Sequence, residues 1–403
     1  MQHRVVPSPR PPRLVLRKEL ARHLRAGHPW VFRDALASVD LPTGTVVDVV
    51  DRGGAALGRG LYDRASPIAV RIYDFTAQAT IDRRFVEARL GEALAARRGV
   101  IDPRESDAFR WCNGEGDLLP GVVVDLYGPV AVVRFDGAAA ATLRPWVVDG
   151  VVRLGAPLGL RHVYERSRGE VGAALHGGPP PVPVEICEAQ VRFAVDVVHG
   201  QKTGTFLDQR ENRRAIRPFA AGARVLNLFA YQGGFSVHAA LAGARAVLSL
   251  DAAAAALDDA RANFVLNRLD PAAHEFVCDD AFAFLRRARG EGRRFDLVIV
   301  DPPSFAPSEK ALPRALLAYR DLHAAALHLL APSGVIAFAS CSSHLTLDAF
   351  LGTIRDGAVR AGVPLRLLEV RGQPGDHPTP PAFVEGRYLK FILARARPAP
   401  EVP

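Results

Sequence analysis

Cysteine is scarce in this chain, and the four that are present are scattered. Cys112, Cys187, Cys278 and Cys341 form no Cys-x-x-Cys pair, so the sequence offers neither a disulfide framework nor a zinc cluster. Cys341 and His344 have a ligand-like spacing, but no second pair accompanies them and no metal is expected. A reducing cytoplasm suits such thiols best. No apolar run is long enough to span a bilayer. The first twenty residues are basic and proline-rich without a continuous apolar stretch, unlike a secretory signal. Also missing is Gly-x-Gly-x-x-Gly, the cradle that a dinucleotide's pyrophosphate wants.

Charge is plentiful but unevenly placed. The chain carries a net +8 over 403 residues, and residues 1–33 hold eight Arg or Lys against Glu19 alone. Nearly all the net charge therefore sits at one end, as in an arm or small domain that tracks phosphates.

The length and a 49% apolar share suit two or three domains with real cores. Three regions separate by pattern. Residues 1–78 hold a helical stretch, 18–26, and short alternating runs broken by glycines, which predicts a small β-rich barrel. Residues 79–184 open with a basic amphipathic helix over about 81–98 and continue with strand and turn signals, including 130–135; this predicts a central α+β domain. They end at the Gly/Pro-rich stretch 176–183, a stiff linker. Residues 185–397 alternate helices with apolar strands at 225–229, 246–250, 275–278, 297–300 and 335–339. Such alternation implies right-handed βαβ units in a doubly wound, Rossmann-like sheet, an α/β fold. Residues 398–403 are expected to be disordered.

Folds of this kind bind ligands outside the carboxyl ends of their strands. The first strand runs into Phe229-Ala-Tyr-Gln-Gly-Gly-Phe-Ser236, whose glycines let a ligand approach the backbone. Asp251 closes the second strand, 18 residues after Gly233, where a carboxylate can accept both hydroxyls of a ribose. Asp280 follows the third, where an acid can accept the exocyclic amine of adenine. Either acid alone could simply cap the next helix. The set together fits a nucleoside with a methionyl tail, S-adenosylmethionine (SAM), better than NAD.

Asp301-Pro-Pro-Ser-Phe305 ends the fourth strand and Ser340-Cys-Ser342 the fifth, which delivers an acid and a thiol to one sheet edge. C5 of a pyrimidine is a poor nucleophile. A thiolate added at C6 makes C5 enamine-like and able to attack a methyl donor. Cys341 is expected to be that nucleophile, with Asp301 bonding to or protonating the ring near N3. The polar neighbours Ser340, Ser342, Ser343 and His344 set Cys341 apart from an inert core thiol. Cys278, beside the expected adenine site, reads as core. No residue stands out as the base that removes the C5 proton.

These residues resemble the bacterial and archaeal ribosomal RNA large-subunit methyltransferases that make 5-methylcytosine in 23S RNA. The resemblance covers nearly the whole chain. It rests on Arg25-Ala-Gly-His-Pro-Trp-Val-Phe32 with Gly58-Arg-Gly-Leu-Tyr62, and on Gly200-Gln-Lys-Thr-Gly-Thr-Phe-Leu-Asp-Gln-Arg-Glu-Asn-Arg213. It rests also on the Asp301 and Cys341 segments and on Glu385-Gly-Arg-Tyr-Leu-Lys390. It implies a PUA-type RNA-binding domain over 1–78 and a SAM domain over 185–397. It further implies that Gln209 and Arg210 lie near the SAM carboxylate, with Lys202, Thr203 and Phe206 nearby, and that Cys341 is the nucleophile. The expected cofactor set is Gln209, Arg210, Asn227, Phe229, Gly233, Asp251, Asp280 and Asp301. Large-subunit ribosomal RNA is the expected partner, with a homodimer left open.

The best-known RNA cytosine-C5 enzymes carry a second cysteine just before or within the Asp-Pro-Pro segment. Val300 and Asp301 stand there in this chain, so no second thiol can assist product release. Three rival readings fit the residues less well. Methylation at an exocyclic nitrogen or another position would leave Cys341 idle. A non-catalytic RNA-binding or assembly factor has no physical reason to keep Asp251, Asp280, Asp301 and Cys341 together. A NAD-linked dehydrogenase lacks both the glycine pattern and a proton relay.

Overall fold

The computed structural model describes residues 10–167 and 172–397. The first nine residues of the basic N-terminal stretch, and the segment 398–403 expected to be disordered, lie outside the described residues.

The first unit is a five-stranded sheet of β1 (Arg13–Val15), β2 (Trp30–Phe32), β3 (Val46–Val50), β4 (Ala56–Tyr62) and β5 (Ile68–Asp74), ordered β1-β3-β4-β5-β2. Alternate residues such as Val47, Val49, Val70 and Ile72 enter one small core. The helix expected over 18–26 is only α1 (Ala21–Arg25). Part of the basic charge is spent inside the unit, because Lys18 pairs with Asp34 and Arg25 with Asp51. On the other face of β5, Tyr73 joins the core of the next unit and Arg71 bonds to Asp136 at 2.9 Å.

That next unit opens with α2 (Arg83–Arg97), whose N-terminus is capped by the Asp82 carboxylate accepting from the Phe85 amide. A second five-stranded sheet follows, made of β6 (Ala108–Asn113), β7 (Val122–Tyr127), β8 (Val130–Phe135), β9 (His162–Glu165) and β10 (Ala173–His176). Between β8 and β9 run α3 (Ala138–Ala141) and α4 (Arg144–Gly155), and α4 packs with α2 over this sheet. The last arginine of α2 is buried: Arg97 donates to both oxygens of Asp117, at 2.8 and 2.5 Å. Asp117→Ala would leave that guanidinium without its counter-ion. Urea denaturation should show a loss of about 3–5 kcal/mol; a loss below about 1 kcal/mol would mean that the pair contributes nothing specific.

The stretch 176–183 does lead out of the central sheet, yet it does not separate two cores. The hairpin that follows, β11 (Val184–Glu188) and β12 (Val191–Val195), places Ile186 and Phe193 in one cluster with Tyr127 and Val132 of the central sheet and with the last sheet.

The last sheet has seven strands: β13 (Arg224–Leu228), β14 (Ala246–Asp251), β15 (Glu275–Cys278), β16 (Phe295–Val300), β17 (Leu330–Ser340), β18 (Leu365–Arg371) and β19 (Lys390–Ala396). Their order is β15-β14-β13-β16-β17-β19-β18. The first five are mutually parallel, and β19 runs antiparallel to both its neighbours. In β16, Leu297 and Ile299 enter one core while Val298 and Val300 enter the other, which is why the strand reads as a continuous apolar run. After the short α5 (Arg210–Ala215), helices α6 (Gly234–Leu241) and α7 (Ala254–Leu266) cover the first face. Helices α8 (Ala281–Gly290), α9 (Leu312–Leu327) and α10 (Leu347–Ala361) cover the second. This is the doubly wound, Rossmann-like α/β arrangement, extended by an antiparallel pair that the apolar pattern did not reveal.

Candidate active site

The strand order reverses at β13, and the loops after β13, β14, β16 and β17 open onto one cavity of about 480 Å³. Its floor is the turn after β13. Phe229 and Tyr231 take left-handed backbone angles there, at φ of 60° and 48°, a strain that a surface loop would relax. Gly233 continues the turn at φ 78°. A Cβ at Gly233 would stand 2.9 Å from the Ala260 Cβ, and one at Gly234 would stand 2.6 Å from Arg213 Nε. Only glycine lets α6 start this close to α7 with the Arg213 side chain laid over it.

Of the expected cofactor residues, Gln209, Phe229, Asp251 and Asp301 line the cavity. Asp251 is held by two backbone amides, accepting from Tyr231 N–H at 2.8 Å and Ala253 N–H at 3.0 Å. Gly233 lies just behind the lining residue Gly234. Asn227 sits beneath the floor, where its amide donates to Ser236 Oγ at 2.9 Å. Asp280 stands outside the lining; its carboxylate accepts from the Ala283 amide at 2.8 Å and caps α8.

Arg210 is not brought to the cavity. It donates to both oxygens of Asp376, at 3.1 and 2.9 Å, away from the opening. Helix phase is the reason: Gln209 and Arg213, four residues apart, share one side, whereas Arg210 is turned by roughly 100°. Arg213 is the α5 arginine that lines the cavity. Its Nη1 bonds Glu188 at 2.6 Å and its Nη2 the Phe206 carbonyl at 2.9 Å, and its Nε is buried against Gly234 with no hydrogen-bond partner among the described residues. The close glycine turn and the Asp251 carboxylate at the cavity make the residues present fit SAM.

Cys341 and Asp301 also meet at this cavity, as the strand ends require. Asp301 opens to the cavity and is enclosed by protein elsewhere. Burial, and next the charge of Asp208, push its carboxyl up to about 6, while Gln209 Nε2, donating at 3.0 Å, opposes the shift. Burial and then Asp301 likewise raise the Cys341 thiol, against the opposing charge of Lys202. Asp208 behaves in the opposite way. Burial disfavours its charge, but Lys202, which pairs with it, and the Tyr388 hydroxyl, which donates at 2.7 Å, hold it below the usual carboxylate range. Lys202 also lies 4.4 Å over the Phe206 ring. The site thus keeps the Asp208–Lys202 pair together, favours the protonated Cys341 thiol, and lets Asp301 hold its proton up to about pH 6.

Pattern alone gave the central unit no role here. It anchors the loop that carries Lys202. Thr203 Oγ1 donates to Asp125 at 2.6 Å and bonds the Tyr127 hydroxyl at 2.8 Å, and Arg110 fixes Asp125 with bonds of 2.8 and 3.0 Å. Cys278, expected in the core, is exposed: β15 is the outer strand of the sheet, so its end has no neighbour to cover it. Among the described residues, no group of three or more His, Cys, Asp or Glu could hold a metal ion.

The family of S-adenosylmethionine-dependent methyltransferases matches residues 150–380, and a PUA-like domain matches residues 14–75. Ribosomal RNA large subunit methyltransferase I of Klebsiella pneumoniae is 38% identical over 395 residues, spanning 95% of this chain and 98% of its own length. The protein of the same name from Alteromonas mediterranea is 36% identical over 391 residues, spanning 94% and 98%. A crystal structure of a protein assigned as a methyltransferase, complexed with SAH, superposes with a TM-score of 0.86 at 25% identity, over 95% of this chain and 100% of that one. The chain therefore belongs to the S-adenosylmethionine-dependent methyltransferases, in the group of ribosomal RNA large subunit methyltransferase I, and pairs a PUA-like N-terminal domain with the SAM domain.

Proposed function

We propose that this enzyme methylates C5 of a cytosine in large-subunit ribosomal RNA through a covalent bond from Cys341 to C6. The observation that carries the reading is the presence at one cavity, at the ends of adjacent parallel strands, of a thiol and a carboxyl pushed up to about 6. Methylation of an exocyclic nitrogen needs no thiol. The names of the relatives supply the substrate class. The PUA-like domain supports it, since the sequence concentrates its net positive charge at that end of the chain, as suits a partner that carries phosphates.

SAM supplies the electrophilic methyl group. A cytosine must leave its stack to reach the cavity. Its arrival expels water, which raises the Asp301 carboxyl further and keeps a proton available to N3. Cys341, once deprotonated, forms the S–C6 bond, and the electron density gathered at C5 would form the C–CH3 bond as the donor's S–CH3 bond breaks and the thioether leaves. A base or water then takes the C5 proton, whose C–H electron pair restores the C5–C6 double bond, breaks the S–C6 bond and returns the thiolate. In this reading the Asp251 carboxylate, at the cavity wall, accepts from the ribose hydroxyls.

Ribosomal RNA carrying 5-fluorocytosine tests this reading, because fluorine at C5 blocks the last step. Incubation with tritiated SAM should give a labelled RNA–protein adduct that survives denaturation. Methyl transfer to a nitrogen, with no adduct, would sink the proposal. For the cofactor end, Asp251→Asn should weaken SAM binding by about 10- to 100-fold in calorimetry, the worth of one charge-assisted hydrogen-bond pair. Unchanged affinity would remove Asp251 from the site.

A further inference from the structure

We propose that Lys390 is the proton partner of Cys341: its neutral amine takes the thiol proton as the nucleophile forms and returns it when the thiolate is released. In this exchange the S–H bond breaks and its electron pair stays on sulfur, while the amine lone pair forms the new N–H bond. The proposal rests on Cys341 being the nucleophile.

Lys390 opens β19 directly opposite Ser340, the residue before Cys341. Its Nζ donates to the carbonyl of Ser342, the residue after Cys341, and to the Tyr388 carbonyl at 2.9 Å. The amine is therefore bonded to the carbonyl of the residue next to Cys341, within electrostatic reach of the thiol but not hydrogen-bonded to it. Lys390 is only 4% exposed, and among the described residues no carboxylate pairs with it. A buried ammonium without a counter-ion is costly. Burial accordingly holds this amine down to about 8, with Cys341 acting against the shift. Held at about 8, the amine is charged at neutral pH and gains its neutral form as the pH rises. That form has two N–H donors, which the two carbonyls use, and one lone pair, which remains.

The other groups facing Cys341 are less suited. Asp301 stands at the end of β16 and is itself protonated until about pH 6, and Tyr319 on α9 donates its hydroxyl to Ser340 or accepts from it at 3.0 Å. On the loop before α5, Asp208 is engaged by Lys202 and Tyr388, and Lys202 is engaged by Asp208. Passing one proton from thiol to amine creates a thiolate beside an ammonium and brings no net charge into the buried site. Lys390 therefore acts through Cys341, as a positioning and proton-holding residue.

The test compares the wild-type enzyme, Lys390→Met and Lys390→Arg. Iodoacetamide labelling of the Cys341 peptide is followed by mass spectrometry from pH 6 to 10, beside kcat and the KM for RNA. Lys390→Met should raise the labelling midpoint by a pH unit or more, and so lower labelling near pH 7.5 about tenfold. Arginine keeps the charge but cannot accept a proton. Lys390→Arg should therefore keep the wild-type midpoint and still lose at least about tenfold in kcat with little change in KM. An unchanged midpoint in Lys390→Met that still binds SAM would overturn the proposal. Wild-type turnover in Lys390→Arg would overturn it as well, and this second arm decides the matter if the methionine variant fails to bind SAM. Labelling reads the thiol without methyl transfer. Failure of the cytosine-C5 reading, seen as no trapped adduct, is thus distinguishable from failure of the Lys390 proposal.

Discussion

Replacing Cys341 by serine should lower the single-turnover methylation rate by at least about 10³-fold and leave SAM affinity within about threefold of wild type. A serine hydroxyl stays protonated at pH 8 and adds to C6 poorly, so the enzyme loses the step that makes C5 nucleophilic. The substitution is nearly isosteric, and its neighbours Ser340 and Ser342 already show that hydroxyls are tolerated at this strand end. Ser340 bonds the Tyr319 hydroxyl at 3.0 Å, and Ser342 donates to the Ala306 carbonyl at 2.9 Å. Asp251, proposed for the SAM ribose, sits at the end of a different strand, β14. A rate close to wild type would show that the thiol is a bystander and move the methyl group to a nitrogen. A parallel loss of SAM affinity would instead make Cys341 part of the cofactor seat.

The two reactive groups were legible because strand ends are legible. β16 and β17 are buried on both faces, so their apolar runs stop where the sheet stops, at Asp301 and just before Cys341. What was not legible depends on geometry that no local pattern encodes. The placement of Arg210 depended on the phase of a six-residue helix, in which the arginine that lines the cavity is Arg213, three residues further on. The exposure of Cys278 depended on where β15 falls in the strand order. Asp280 fits a helix cap and an adenine ligand equally well by position, and the structure shows the cap. Strand β18 escaped notice because it lies at the sheet edge with Leu367, Leu368 and Val370 exposed, so no buried face imposes a pattern. Lys390 stood within a motif that matched the family, but its meaning came only from the register of β19 against β17. The central unit's Arg110–Asp125–Thr203 chain joins residues far apart in sequence and could be found only in three dimensions.

Asp301→Asn should slow methyl transfer by about 10²- to 10³-fold and, at pH 8, make the folded protein more stable. Both effects come from one environment. Burial and the charge of Asp208 raise the carboxyl from 3.8 to about 6. An acid shifted upward stabilises the fold fully below its unfolded value, and that contribution is lost as the pH rises through the folded value. The wild-type enzyme therefore loses stability between about pH 4 and pH 6, and above that it carries an ionised carboxylate in an unfavourable place. A shift of this size corresponds to about 3 kcal/mol at most, and water in the cavity should leave about 1–2 kcal/mol of it. Asparagine can still accept from Gln209, whose amide meets Asp301 at 3.0 Å, but it has no charge to bury and no proton to give. Urea unfolding at pH 4 and pH 8 reads the difference: the variant's advantage should be near zero at the lower pH and full at the higher. Asp208 supplies the internal contrast, since its depressed carboxyl gives stability that is present above about pH 4 and lost in acid. A variant that is slow but gains nothing at pH 8 would show that Asp301 is ionised without penalty, and a carboxylate of that kind could not deliver a proton to the ring. A gain in stability together with the loss of rate would mean that the fold tolerates a destabilising acid where the chemistry uses it.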